Sequence, residues 1–526
     1  MKRVFFVLLT VLLTAALFAG GGGATNNTAS VSTSSGPFSY PVPGNPVLSY
    51  FGQFHVKVMN EYRSYADLPI IQYWFKETGV KLDFNTPPAG METEQLNIML
   101  ASGDLTDVIC YNLVGMRGGA QKLHDDGIII KLTDKLGSMP YMMKYFNENP
   151  DVYRQVKDDE GEFYVIPFIA HTSASSGTML RGDILEELKL APPETIDEWE
   201  KVLVAMKAAY PRNSPYVGDF TMLRDSFLPA FGLGRGYWMV DTAQKVRYTP
   251  LDPGYRDFIT LMNKWYNMNL IDQNFATIDG RAVDNAMSSG AGFSTYRAGS
   301  SGVGAYMYAN RDNPKYDIIG VRQPAFTKGE VIKYIRGYEF GGNPQVGIST
   351  KCKNVEAALR LYDFPFSPEN YIKFNWGIEG ESFIYVDGKP QYTDLILNNP
   401  QGLNIDTILS RYATTAIKGP NMMVQDTDYL AQYYNIPAAR KAMEQWLIRD
   451  NQYRSFPPVS YTSNESSTLA RVMADVETYV QQMSFKFILG TEPLSNWNTF
   501  TATINRMGID QAIKVQQDSV DRYNKR

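Results

Sequence analysis

The sequence predicts an α/β protein with more than one domain, and three observations carry that prediction. Segments with strand-like and helix-like patterning alternate between residues 46 and 110, the order that builds a sheet with parallel neighbours. Within that stretch LNIMLASGDLTDVI, Leu96 to Ile109, reads as an amphipathic helix, a tight turn and the start of a buried strand. The length, 526 residues, exceeds what one hydrophobic core fills.

The elements follow in order. Residues 20 to 45 are rich in Gly, Ser, Thr, Asn and Pro and read as a flexible tether with too little apolar surface to fold. The globular part begins near Pro46. His55 to Met59 alternates around Val56 and Val58 and predicts a strand. Ile70 to Thr78, with Trp74, predicts a helix ended by Gly79, and Val80 to Phe84 the next strand. Leu96, Met99 and Leu100 recur at helical spacing, Gly103 permits the turn, and Val108 with Ile109 opens a β-branched run. GEFYVIPF, Gly161 to Phe168, is a turn and a strand. Thr195 and Glu198 form a capping box before a helix whose apolar face is Trp199, Val202, Leu203 and Met206. Asp252 caps a further helix with Pro253 at its first position and Phe258, Leu261, Met262 and Trp265 on one face. Trp199 and Trp265 therefore belong to the core.

Composition narrows the function. The 55 acidic residues nearly balance the 50 basic ones, for a net charge of −5, which argues against a nucleic-acid partner. With 34 Tyr against 27 Phe, the aromatics offer surfaces with a polar tip. Lys2 and Arg3, the apolar run Val4 to Ala19 and small residues from Ala19 to Ala24 predict a secretory signal peptide over 1–20, followed by a linker over 21–45. That run is short for a membrane span of ~20 residues, so an exported, soluble protein is expected. Cys110 and Cys352 are the cysteines, expected as separate buried thiols. With no CxxC or Cys/His cluster, no metal or other cofactor is expected. His55, His124 and His171 show no HExxH or triad spacing, and the Gly-rich GSSGVG of Gly299 to Gly304 lacks the Lys of a phosphate loop. No catalytic residue is assigned. A glycosidase needs two facing carboxylates, which a sequence does not reveal, so a glycan-active hydrolase or lyase stays as an alternative, beside a sensor or adhesin.

Five strings, in order, carry a family resemblance. MLASGDLTD resembles the "MLASGDxPD" segment of extracellular solute-binding proteins, the receptors of bacterial ABC sugar importers; Thr106 replaces the Pro and Asp107 is kept. GEFYVIPF is similar to their "GKxYxxP". Met179 to Lys207 shares Arg181, Asp183, Leu185, Leu188, Leu190, Pro193, Thr195, Asp197, Glu198 and Trp199 with the family pattern. NLIDQNFAT parallels "GLIDPEFAT". From Gly347 the chain keeps Lys353, Asn354, Glu356, Ala357, Asp363, Gly377, Glu379 and Gly380, with Val355 in place of Pro. The C-terminal helices resemble the family's closing segment, so the resemblance runs from Pro46 to the end.

The resemblance implies a periplasmic-binding-protein type II fold, two α/β lobes with a hinge and a ligand cleft between them. The expected division is 46–168 with 345–400 for lobe one and 169–344 with 401–526 for lobe two. It implies a monomer that captures a carbohydrate, an oligosaccharide, for the transmembrane subunits of an ABC permease. In LFAGGG, Gly21 stands where lipoproteins of the family carry the lipidated Cys, so a free periplasmic or secreted protein is expected. Some relatives carry a calcium loop where this chain reads AYPRNSPYVGDF, Ala208 to Phe220; Asp219 stands alone there, and no calcium is expected. Ligands of such folds sit beyond the carboxyl ends of sheet strands. That places Tyr111 and Asn112 after the lobe-one strand, and His171, Thr172 and Ser173 after the crossing at Pro167. It adds Tyr237 and Trp238 in a GRGYW loop, and Tyr296 and Arg297 in GFSTYR. Arg336, Tyr338 and Glu339 lie at the return crossing near Gly341 and Gly342, and Trp376 beside GIEG. Loop-borne Trp238 and Trp376 suit the C–H face of a sugar, and polar side chains its hydroxyl rim. Arg336 and Glu339 can equally pair with each other across the hinge.

Overall fold

The computed structural model describes residues 39–526, apart from 60, 89, 117, 171–175, 341–343, 404, 427, 429–431 and 433–435. The signal peptide, the tether up to residue 38, His171 with Thr172 and Ser173, and the glycine pair Gly341 and Gly342 lie outside the described residues. The strands are, in chain order, β1 (Val47–Gly52), β2 (Lys81–Asn85), β3 (Val108–Tyr111), β4 (Ile166–Pro167), β5 (Ser176–Arg181) and β6 (Trp238–Val240). They continue as β7 (Val246–Tyr248), β8 (Ser294–Ala298), β9 (Ile318–Gly320), β10 (Gln345–Ile348), β11 (Phe383–Val386) and β12 (Lys389–Tyr392).

The first sheet has the order β2-β1-β3-β10-β4. β1 is parallel to β2 and β3, as the alternating strand–helix pattern predicts. The helix Pro69–Thr78 ends at Gly79 with φ 71, and the helix Glu92–Ser102 at Gly103 with φ 70, the left-handed conformation for which glycine is suited. One expectation is corrected. The strand predicted at His55 to Met59 is a short helix, Val56–Met59, and the strand lies upstream in VLSYFG. The Tyr65 hydroxyl accepts from the His55 amide at 2.9 Å and donates to the Gln53 carbonyl at 3.0 Å, which takes those backbone groups out of any ladder.

Asp107, the acidic residue kept in the family-like string, is structural. Its carboxylate accepts from the Ser49 amide and hydroxyl, both at 2.8 Å, while its own amide donates to Ser49 Oγ. Its carbonyl accepts from the Ser349 amide. It thereby fastens the start of β3 to β1 and to the residue after β10. β10 runs antiparallel to both β3 and β4, because it returns from the second lobe rather than through a helical crossover.

The second sheet has the order β8-β5-β9, with both outer strands antiparallel to β5. The helix Pro437–Trp446 lies directly on it. A Cβ on Gly320 of β9 would stand 2.3 Å from the Ala442 Cβ, and one on Gly177 of β5 2.4 Å from the Trp446 indole. That indole donates to the Thr178 carbonyl at 3.0 Å. β6 and β7 form a separate hairpin. The capping box of Thr195 and Glu198 forms as expected, and Trp199, Val202, Leu203 and Met206 are buried. Asp252 caps Pro253–Asn267, where Ile259 joins Phe258, Met262 and Trp265 in the core and Leu261 is half-buried. Asp219 spends its carboxylate on the Met222 amide, as the cap of Phe220–Phe227.

Among the described residues most buried side chains fall into two large cores and a smaller third one. The first holds residues from Leu48 to Ile169, Phe340 to Phe374 and Ile417 to Val424. The second holds residues from Leu180 to Tyr334 and Val472 to Ala512. The third joins Met179, Val303 and Trp446, beside the second sheet, to Trp376, Phe383 and Leu409. Within it Phe383, Tyr392 and Leu409, from either side of position 400, are buried in one cluster. Both cysteines are free and buried, and burial pushes the Cys110 thiol up to about 11. No helix among the described residues is long and apolar enough to cross a membrane.

Candidate functional site

The carboxyl ends of β1 and β3 open on a cavity of about 480 Å³, within the range of small-ligand sites. Gln53 follows β1, and Tyr111 and Asn112 end β3, so the expected positions of Tyr111 and Asn112 are on its wall. Tyr50 and Tyr65 add ring surface, and Pro344 and Lys418 bring in the segments that cross to the second lobe. The Tyr111 hydroxyl lies 2.8 Å from Thr93 Oγ1. Glu92 lines the cavity, and its Oε1 is buried with no hydrogen-bond partner among the described residues. Burial, aided by the charge of Lys57, pushes the His55 imidazole down to about 4, so it is neutral at physiological pH. Burial also lowers the Lys418 amine.

A second group of polar side chains gathers where the return crossing leaves lobe two. Arg336 donates to the Asn451 carbonyl at 2.9 Å, and Arg449 Nε to the Asn451 side chain at 3.3 Å. Arg235 stands over the Tyr296 ring, 5.4 Å from its centroid. Glu339 is nearly buried. Its Oε2 accepts from Gln155 Nε2 at 2.8 Å and from Arg454 at 2.7 Å, and its Oε1 from Arg454 at 3.3 Å and Arg336 at 3.5 Å. Burial alone would raise the Glu339 pKa; the Gln155 bond and the bonds and charge of Arg454 outweigh it and hold the carboxyl below its ordinary 4.5.

The remaining expected residues separate. Tyr296 and Arg297 are neighbours on β8 and point to opposite faces. Tyr296 meets Arg235, whereas Arg297 is turned to Asp284 Oδ1 at 2.9 Å and the Gly280 carbonyl at 2.6 Å. Arg297 is therefore corrected to a bracing residue of lobe two. Tyr338 lies edge-on to Tyr523 with Arg454 4.9 Å from its ring centroid, beside a cavity of about 250 Å³. Arg336 reaches Glu339, but Arg454 is the nearer partner. Trp238 does not sit in a loop: it opens β6, half-buried against Tyr248 at 4.8 Å and Phe456 at 6.5 Å. Trp376 is corrected outright. It ends the helix Pro368–Trp376, is 0% exposed, donates to Asp426 Oδ2 at 2.9 Å and packs on Tyr392, so no ring face is left for a ligand.

Sequence reasoning missed Arg235, Arg449, Asn451, Glu92 and Lys418. Arg235 had a signal, since it lies in the same GRGYW string as Tyr237 and Trp238. Asn451 had none, because the Arg336 it receives is 115 positions away.

The comparisons with known proteins agree with this architecture. The family model described as bacterial extracellular solute-binding protein matches residues 58–372. The chain is 23% identical over 497 residues to the fructooligosaccharide ABC transporter substrate-binding protein FusA of Streptococcus pneumoniae, covering 86% of this chain and 87% of that one. Among solved structures, the alginate-binding protein AlgQ2 without calcium ion superposes with a TM-score of 0.74 at 23% identity, over 91% of this chain and 99% of that chain. The S. pneumoniae FusA complex with kestose superposes at 0.72 and 20% identity, over the same shares. The fold is thus the two-lobed type II binding-protein fold, and the chain belongs to the family of bacterial extracellular solute-binding proteins.

Proposed function

We propose that this protein captures an oligosaccharide in the cleft between its lobes and delivers it to the transmembrane subunits of an ABC importer, without chemical change to the sugar. The observation that carries the reading is the cavity at the carboxyl ends of β1 and β3. It combines rings for C–H faces, from Tyr50, Tyr65 and Tyr111, with hydroxyl partners, from Gln53, Glu92 and Asn112. The similarity to FusA, whose name and kestose complex specify fructooligosaccharides, supports an oligosaccharide as the class of ligand. Asn112, Tyr296, Arg336, Tyr338 and Trp238 remain the proposed contacts from the expected set. His171 stays a proposal at the outgoing crossing.

The proposed lobes are drawn by core membership, 46–169, 340–374 and 417–424 for lobe one and 176–334 with 439–526 for lobe two, with the cluster of 376–413 joining the third core beside lobe two. The working form is an exported monomer, freed of residues 1–20 and, with Gly21 in place of a thiol, unlipidated. Thermal-shift screening of the mature protein against neutral and acidic oligosaccharides tests the reading, because a ligand bound only to the folded state raises its stability by mass action. A raised midpoint for at least one oligosaccharide, recovered uncleaved after prolonged incubation, is expected. No shift across the panel, or cleavage of the bound sugar, would refute it.

A further inference from the structure

The helix Ile509–Tyr523 reaches from lobe two across to lobe one. It starts in the second core, which holds Ile509 and Ala512. Its last turn and the residues beyond it meet the turn Lys157 to Gly161, which lies between Val156 and Phe163 of the first core. Arg522 Nε donates to Asp159 Oδ2 at 2.7 Å, and Arg526 Nε to Asp159 Oδ1 at 2.8 Å. Arg526 also donates to the Lys157 carbonyl at 2.6 Å and to Ser460 Oγ at 2.7 Å. Arg522 further takes both oxygens of Glu465, at 2.8 and 2.7 Å, from the lobe-two helix Ser463–Leu489. The Asp159 side chain is 10% exposed and that of Arg526 1%, so this strap is shielded from water and salt.

Strap and cavity flank the crossings. The first sheet has the order β2-β1-β3-β10-β4, and the cavity opens at the ends of β1 and β3. The chain leaves for lobe two from β4, through Phe168 to Ala170, and returns to β10 at Pro344. Asp159 stands in the turn that leads into β4, the outermost strand. Along the sheet the order is therefore cavity, crossings, strap. Among the described residues that line the cavity, none belongs to 176–334 or 439–526. Lobe two thus stands clear of the cavity while the strap is made. A rotation about the crossings that lowers lobe two onto the cavity carries Arg522 and Arg526 away from Asp159, as the two arms of a lever move.

We infer that this strap holds the empty cleft open and so sets ligand affinity from outside the binding site. Closure has to separate Asp159 from Arg522 and Arg526, and the free energy of that separation is subtracted from the free energy of binding. Only a ligand whose contacts with both lobes exceed this cost closes the cleft. Arg522 keeps Glu465, and Arg526 keeps Ser460, because all four residues belong to lobe two. Opening the strap therefore costs less than baring a buried ion pair completely. The inference rests on the reading that a ligand is taken between the lobes, and not on which sugar it is.

Two variants test it. Asp159→Asn removes the anion shared by both arginines at constant shape. Arg526→Gln removes one arm while Arg522 still neutralises Asp159, and it decides alone if Asp159→Asn does not fold. The first readout needs no ligand. Single-molecule energy transfer between dyes on exposed cysteines, introduced on either lobe at the mouth of the cavity, reports the closed fraction of the ligand-free protein. That fraction is expected to rise about three- to tenfold in Asp159→Asn, the factor for ~0.6–1.4 kcal/mol of lost pairing. A smaller rise is expected in Arg526→Gln. The second readout is calorimetric titration with kestose, whose dissociation constant should fall by the same factor. A closed fraction that stays level or falls in both variants would overturn the inference. So would lowered stability in urea with no change in closure, which reduces the strap to a structural role. A raised closed fraction in variants that leave kestose unbound supports the strap and counts against the sugar reading alone.

Discussion

Glu339 joins the lobes, and its replacement by Gln measures how strongly. Gln155 belongs to the lobe-one helix Pro150–Val156; its amide donates to Glu339 Oε2 at 2.8 Å, and its carbonyl oxygen accepts from the Phe340 amide at 3.1 Å. From the other side Arg454 and Arg336 converge on the same carboxylate. The Glu339 carbonyl also accepts from Ala170 of the outgoing crossing. Glu339→Gln keeps the shape but places an N–H₂ against a guanidinium and leaves two cations without their anion. An exposed pair is worth up to ~1 kcal/mol and breaking a fully buried one costs about 3–5 kcal/mol. With the Glu339 side chain 12% exposed and Arg454 20% exposed, the site lies between these limits. A loss of about 2–3 kcal/mol at pH 7 is expected.

The sign with pH follows from the lowered pKa of Glu339. The unfolded chain protonates this carboxyl first as pH falls. The increment is fully present above the ordinary value of 4.5 and disappears as pH drops through the lower folded value. Urea unfolding of wild type and variant at pH 7 and in the acid range, followed by tryptophan fluorescence, reads both quantities. The gap between the two proteins should close in acid. A gap under about 0.5 kcal/mol at pH 7, the ordinary surface effect, or one that does not shrink in acid, would refute the reasoning.

Two further outcomes follow from buried groups. Asp363 is fully buried against the amides of Tyr141 and Met142, and desolvation outweighs those bonds and pushes its carboxyl up to about 7. The folded state then holds the proton more tightly than the unfolded one, so stability from this group is complete below 3.8 and is lost as pH rises through about 7. Asp363→Asn should remove a fall of up to about 4 kcal/mol across that window, at 1.36 kcal/mol per pH unit; an unchanged slope in the stability–pH profile would exclude the assignment. Trp376→Ala should cost about 3–5 kcal/mol through the cavity it leaves and change oligosaccharide affinity by less than about threefold, a tenfold change being ~1.4 kcal/mol. Melting curves and calorimetry on the one variant check it, and lost affinity at unchanged stability would return Trp376 to the cleft.

The sequence by itself determined the class of fold, the helix ends and much of the core. Gly79, Gly103, Thr195 with Glu198 and Asp252 act through bonds within a few residues, so their patterns need no knowledge of distant partners. Family-like strings such as SGDLTD are legible for the same reason, yet Asp107 shows that they record architecture: its carboxylate ties strands together through Ser49. The place of Tyr111 and Asn112 at the end of β3 was legible because the end of a strand is a fixed place in an α/β sheet. Tertiary structure alone decided the rest. It turned Arg297 and Tyr296 to opposite faces, since alternate side chains of a strand must diverge. It buried Trp376, whose helix end is covered by Tyr392 and Asp426 from later in the chain. It also assembled Gln155, Arg336 and Arg454 around Glu339 from three separate segments. Charge acts through space, so such a cluster has no period, no spacing and no local signature until the chain has folded.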